Sequence, residues 1–238
     1  MLTLTADSLF AHRGLHDGAR PKNSLSAIVA AADAGYGIEF DIHLSSDGVP
    51  FVSHDADTLS DTGIELQIGA TRSEVLSGLT FTGNGEHLAT LDDVLRAVAP
   101  NVPLLVEIKP TRRVEETVTA VQRLLLGREQ SAALQSFQPS IVHAAKRSGT
   151  GFAVGQLGES SSAAMPLHER LYWRTLVTNA WARPDFLAME LASLASPMVR
   201  FWRKRLGCPL LGWTVVNDED VALCRAAGAG LIFEQVRP

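Results

Sequence analysis

Side chains at i and i+2 of a strand share a face, and two short segments pair charges in that way. In Gly37-Ile38-Glu39-Phe40-Asp41 the carboxylates of Glu39 and Asp41 share one face, while Ile38 and Phe40 take the other. Val106-Glu107-Ile108-Lys109-Pro110 repeats the pattern with Glu107 and Lys109. His12 ends a third apolar segment and is followed by Arg13-Gly14; His54 ends a fourth and is followed by Asp55. Taken singly, a strand-end carboxylate is usually a solvated rim residue and a lone histidine is usually structural. The argument for a site is their coincidence, because parallel strands closed into a barrel bring their C-terminal ends to one mouth, where active sites lie.

Charge narrows the chemistry. Glu39, Asp41 and Glu107 together concentrate negative charge in a partly buried space, which shifts pKa values and costs stability unless it is offset. Arg13 and Lys109 offset two of the three charges. A divalent cation would leave the mouth with a single positive charge, suited to a monoanion such as a phosphodiester. Oxygen ligands without a thiolate select a hard cation, Mg²⁺, Ca²⁺ or Mn²⁺.

The elements that must position these residues alternate along the chain. Apolar runs at 8–12, 36–42, 49–53, 103–108, 132–135, 152–154, 186–189, 210–215 and 231–233 predict strands. Amphipathic stretches at 24–34, 91–98, 114–126, 141–148, 167–176, 197–206 and 218–227 predict helices, the first capped by Asn23 or Ser24. Such alternation implies a parallel sheet with helical crossovers. About eight strands in 238 residues favour an α/β fold of one TIM (β/α)8 barrel over an open sheet. Neither a dinucleotide-binding glycine fingerprint nor a P-loop is present. With no linker or repeat, residues 1–238 are expected to form a single domain.

Composition excludes other classes. Hydrophobic residues make up 46% and charged residues 20% of the chain, enough apolar surface for a core. The net charge is −5 and no basic stripe is present, so nucleic acid is not an expected partner. Arg200, Arg203, Lys204 and Arg205 form the densest basic run, read as a solvated helix face, with membrane-surface contact as the sharper alternative. There is no apolar run of membrane-spanning length and no secretory leader pattern in the first ten residues, so a cytoplasmic protein without stable membrane insertion is expected. Cys208 and Cys224 do not make a disulfide framework.

Ala11-His12-Arg13-Gly14, Pro21-Lys22-Asn23-Ser24, Glu39-Phe40-Asp41, Ser46-Asp47-Gly48, His54-Asp55 and Glu107-Ile108-Lys109-Pro110 occur in this order. Together they resemble the glycerophosphodiester phosphodiesterase family. Gly212-Trp213-Thr214-Val215 and Gly230-Leu231-Ile232-Phe233 resemble its last two strands, whereas residues 155–200 carry almost no signature. The resemblance implies a metal-dependent TIM barrel in which Glu39, Asp41 and Glu107 bind one divalent cation, Mg²⁺ or Ca²⁺, with Mn²⁺ also admitted. It implies that His12 and His54 are the acid–base pair and that Arg13 and Lys109 contact phosphate oxygens. Trp213 and Phe137 would line the alcohol pocket, barrel-core packing being the alternative for both. The implied reaction is hydrolysis of a small glycerophosphodiester to sn-glycerol 3-phosphate and an alcohol. The alternative is a barrel that binds phosphodiesters without turning them over. Two further histidines, His16 and His43, could stand behind the site; His87, His143 and His168 are read as surface residues. Lys22 occupies a position where the family usually has glutamate. It is expected either to point to solvent or to face the mouth and shift preference toward more anionic substrates.

Overall fold

Hydrogen bonding along the strands closes a barrel. The computed structural model describes residues 1–160 and 175–238. Its strands are β1 (Leu9–His12), β2 (Gly37–Leu44), β3 (Pro50–Val52), β4 (Leu104–Ile108), β5 (Ala132–Ser136), β6 (Ala153–Gly158), β7 (Phe186–Glu190), β8 (Leu210–Val215) and β9 (Gly230–Phe233). Leaving out β3, each strand pairs in parallel with the next, and β1 joins both β2 and β9. The result is a closed eight-stranded parallel barrel with helices in the crossovers, as the alternating pattern implies.

The register does the positioning. His12 lies opposite Glu39, Asp41 opposite Glu107, and Glu107 opposite Gln135. Residues paired across a parallel ladder share a face, so neighbouring strands deliver these side chains to one level of the interior. Below them Phe10, Leu105, Phe186, Leu211 and Ile232 fill the barrel. The opposite faces of the strands, with Ile38, Phe40, Ile42, Leu104, Val106 and Ile108, pack on the helices through Ile28, Val94, Val118 and Val121. Burying one such side chain contributes about 1.5–3 kcal/mol.

Three sequence expectations are corrected. The 49–53 run is not a barrel strand: β3 runs antiparallel to the far end of β2, with Ile42 opposite Val52 and Leu44 opposite Pro50. The turn between them is too short for a parallel crossover, which needs a dozen or more residues. The hairpin folds the chain back to the mouth, where the Ser53 N–H donates to the Asp41 carbonyl at 3.1 Å. The 152–154 strand is longer, Ala153–Gly158. Its two glycines obscured it: a Cβ at Gly155 would lie 2.1 Å from the Phe186 ring, and one at Gly158 would lie 2.7 Å from Met189 Cε. Finally, the chain after His54 has elements of its own, α2 (Leu59–Thr62) and α3 (Ser73–Leu76), around a small core of Phe51, Ile68, Leu76, Leu79, Phe81 and Leu88. The expected 167–176 helix, all but its last two residues, and His168 lie outside the described residues.

The remaining helices are α1 (Leu25–Asp33), α4 (Leu91–Ala97), α5 (Val114–Leu125), α6 (Pro139–Arg147), the short α7 (Asn179–Ala182), α8 (Pro197–Leu206) and α9 (Asp218–Ala227). They follow their predicted stretches, except α7, which no predicted stretch covers. Ser24, not Asn23, caps α1, its hydroxyl accepting from the Ala27 N–H. Within the basic run, Arg203 departs from the solvated reading, donating to the Ala227 and Gly228 carbonyls at the end of α9. Cys208 and Cys224 are free and buried, and burial pushes both thiols up to about 11.

The loop after β1 depends on Gly14. Its φ is +78°, and an added Cβ would lie 2.5 Å from the Ala27 carbonyl carbon. Gly14→Ala is expected to destabilise the fold by about 2–4 kcal/mol, combining left-handed strain with overpacking against backbone. Urea denaturation measures this; an unchanged midpoint would refute it.

Candidate active site

Glu39, Asp41 and Glu107 present carboxylate oxygens that all lie within 4.8 Å of one another, and all three residues are buried. Asp41 is the most tightly held. Asn23 Nδ2 donates to its Oδ2 at 2.9 Å, Arg13 Nε lies 3.2 Å from the same oxygen, and Lys109 Nζ lies 3.3 Å from Oδ1. Lys109 also pairs with Glu107 at 2.9 Å. Glu39 accepts from the Arg13 N–H at 3.3 Å and from Gln135 Nε2 at 3.3 Å.

Arg13 and Asn23 both have positive φ, 56° and 63°. This conformation is uncommon outside glycine, and such strain concentrates at functional sites. Here the two residues are tied to each other, the Asn23 N–H donating to the Arg13 carbonyl at 3.0 Å. The turn they form places both side chains on Asp41.

The electrostatics divide the carboxylates. Burial pushes Glu39 well above the usual carboxylate range, and the charges of Asp41 and Glu107 add to this. Burial, with Asp41 beside it, pushes Glu107 up to about 7. Burial would raise Asp41 too, but Lys109, Arg13 and the Asn23 hydrogen bond outweigh it and hold the carboxyl below its ordinary value. Three converging buried oxygens, two of them on groups that resist ionising together, are a donor set that fits a hard divalent cation.

The histidines flank this cluster. His12 Nδ1 lies 2.7 Å from Glu234 Oε1, and its Nε2 lies 3.9 Å from Glu39 Oε2. Burial lowers the pKa of His12, opposed by the hydrogen bond to Glu234. His54, more exposed, has Nδ1 2.7 Å from Asp55 Oδ1. His43 stands behind it, Nε2 3.2 Å from the His54 carbonyl. His16 reaches the back of the site, 3.6 Å from Glu234. His87 is exposed, and His143 stacks on Trp181 away from the mouth.

A cavity of about 270 Å³ opens between the two histidines. His12, Arg13, Glu39, His54, Glu107, Lys109 and Gln135 line its polar side; Phe137, Leu157, Trp213 and Ile232 line the apolar side. Phe137 and Trp213 face the cavity and also pack against the barrel interior, edge to face at 5.6 Å. The Trp213 indole donates to the Ala188 carbonyl at 3.1 Å.

Sequence reasoning missed Gln135 and Glu159, both of which line the cavity, and, above all, Glu234. Ala11 pairs with Phe233 across β1 and β9, so Glu234 is the neighbour of His12. The signal was there: a carboxylate one residue beyond the last strand, at the level of the first histidine. Lys22 is about half exposed, as the solvent expectation has it, but its ammonium also lies 3.0 Å from Glu234 Oε1, the oxygen that meets His12.

Comparison with known proteins places this geometry. The barrel resembles the crystal structure of an Oleispira antarctica phosphodiesterase in complex with the product sn-glycerol-3-phosphate. The TM-score is 0.79 at 22% identity, covering 96% of this chain and 92% of that one. It likewise resembles the glycerophosphodiester phosphodiesterase of Thermotoga maritima, with a TM-score of 0.74 at 24% identity over 95% and 94% of the two chains. At these identities the likeness shows the fold. Among curated proteins, mouse (Mus musculus) lysophospholipase D GDPD3 is 30% identical over 129 residues, which are 49% of this chain and 38% of the mouse protein. The model of the glycerophosphoryl diester phosphodiesterase family matches residues 12–236, spanning both histidines, the three carboxylates and Glu234, and the chain belongs to that family of phosphoric diester hydrolases.

Proposed function

We propose that this chain hydrolyses small glycerophosphodiesters to sn-glycerol 3-phosphate and an alcohol, with His12 and His54 as the acid–base pair and Glu39, Asp41 and Glu107 holding one divalent cation, Mg²⁺, Ca²⁺ or Mn²⁺. The observation that carries this reading is the convergence of two histidines and three buried carboxylates on one cavity. When bound, the cation supplies Lewis-acid polarisation of the phosphoryl oxygens and a lowered pKa for an oxygen nucleophile.

The protein's own groups do the rest. Lys109 and Arg13, which flank opposite oxygens of Asp41, neutralise charge developing on the non-bridging oxygens. A 2-hydroxyl next to the phosphate is the first nucleophile, and water then opens the cyclic diester. One imidazole takes the nucleophile's proton while the other gives a proton to the departing alkoxide; His12 and His54, which both line the cavity, share these tasks. Phe137, Leu157 and Trp213 form a wall for the alcohol, from which water is excluded. Among the described residues no helix is long and apolar enough to cross a membrane, consistent with a substrate taken from solution.

The test is release of sn-glycerol 3-phosphate from glycerophosphocholine, glycerophosphoethanolamine and glycerophosphoglycerol, and of lysophosphatidic acid from lysophosphatidylcholine, each with Mg²⁺, Ca²⁺ or Mn²⁺. Cation-dependent release in equal amounts with the alcohol is expected. Binding of these diesters with no turnover under any cation would identify a silent binding barrel instead.

A further inference from the structure

Glu234 stands just beyond β9, outside the cation-binding carboxylates, with its side chain about 10% exposed. One of its oxygens, Oε1, meets three potential donors: His12 Nδ1 at 2.7 Å, Lys22 Nζ at 3.0 Å and His16 Nε2 at 3.6 Å. Burial alone would raise the pKa of Glu234, but the hydrogen bonds from His12 at 2.7 Å and Lys22 at 3.0 Å, with His16 close by, override it and hold the group ionised. An ionised carboxylate only accepts. The hydrogen in the 2.7 Å contact must then sit on His12 Nδ1. On the other side of the ring, Nε2 is 3.9 Å from Glu39, too far for a hydrogen bond.

We propose that Glu234 is a positioning residue that locks His12 in its Nδ1–H tautomer, leaving the Nε2 lone pair toward the cavity, and that Lys22 braces Glu234 for this task. The lock's catalytic use rests on the proposed role of His12. A neutral imidazole otherwise divides its proton between two nitrogens, and a ring held by one strong acceptor does not. Lys22 reaches Glu234 from the loop before α1, so the brace ties the first crossover to the last strand across the barrel seam.

The experiment has a spectroscopic arm and a kinetic arm, both on the full chain with Mg²⁺ present. Nitrogen-15 spectra of the imidazoles, with His12 assigned by its absence in His12→Ala, are expected to show Nδ1 protonated and Nε2 unprotonated in the wild type. Glu234→Ala is expected to move His12 to a tautomer mixture. Glu234→Gln, whose amide oxygen still accepts, is expected to recover most of the bias. In turnover, Glu234→Ala is expected to lower kcat about ten- to a hundredfold, the range for a lost partner of a working histidine, with KM within about twofold. Combined with His12→Ala it is expected to add almost nothing, because the two act through one group. A wild-type His12 protonated on Nε2, or an unchanged tautomer in Glu234→Ala, would overturn the lock. Should His12→Ala keep normal turnover, the acid–base role of His12 falls, and the spectra decide the lock by themselves. Thermal unfolding of both Glu234 variants separates lost positioning from lost fold.

Discussion

His12→Ala and His54→Ala are each expected to lower kcat by about two to four orders of magnitude, the usual contribution of a general acid or base. The two residues reach the mouth by different routes. His12 ends β1 and is buried against Glu234, whereas His54 follows the β3 hairpin and is backed by Asp55 and by His43. As the proposed acid–base pair they would act as one unit, so the double variant should be little worse than the poorer single one. Steady-state kinetics on a glycerophosphodiester measures this. Near-normal turnover in either single variant would remove that histidine from the mechanism, and a double variant showing the product of the two losses would mean that they act independently.

Removing the divalent cation is expected to abolish turnover, with Mg²⁺, Ca²⁺ or Mn²⁺ restoring it, and Glu39→Gln or Asp41→Asn should weaken the cation's hold while the barrel stays folded. At a hundredfold excess over Kd the cation should raise the melting temperature by about 5–10 °C. The size of that shift should depend on pH. Glu107 titrates at about 7 in the folded chain against an ordinary value of 4.5. Between these values the cation-free fold binds more protons than the unfolded chain, so it loses stability as pH rises through that window. A cation takes the place of the proton, and its stabilising effect should therefore grow from pH 5 to pH 8. Scanning calorimetry at both pH values, with and without Mg²⁺, checks the sign. Full activity in excess chelator, with no metal found by elemental analysis, would remove the cation from the reaction.

Much of this site was legible because strand periodicity and barrel closure act together. Glu39, Asp41 and Glu107 each lie on a strand whose alternation assigns a face, and a closed parallel barrel allows that face only one mouth. His54 was placed correctly for the wrong reason. Its strand was read as part of the barrel, although a turn of a few residues, Ser45 to Gly48, permits only an antiparallel return. Glu234 was passed over because a single acidic residue after a strand carries no local pattern; its meaning comes from the pairing of the first strand with the last, a contact between the two ends of the chain. The elements between residues 54 and 90 escaped because each helix there is a single turn, too short for any periodicity to show. Gly155 and Gly158 hid the far half of β6, since the sequence does not reveal that Phe186 and Met189 will occupy the space their side chains would need.

The order of strands around the barrel divides the labour of the mouth. Adjacent strands β1, β2 and β4, with the hairpin on β2, bring Glu39, Glu107, Arg13, Lys109 and both histidines to the cavity, and β9 closes that arc with Glu234. The remaining arc contributes Phe137, Leu157 and Trp213, with Glu159 and Thr214 beside them. If that wall receives the alcohol as proposed, a substitution there should change which alcohol fits while leaving the histidines and the carboxylate cluster in place. That half of the circle would then be free to explore new leaving groups while the other keeps the reaction constant. A barrel organised this way can diversify its diet without having to reinvent its chemistry.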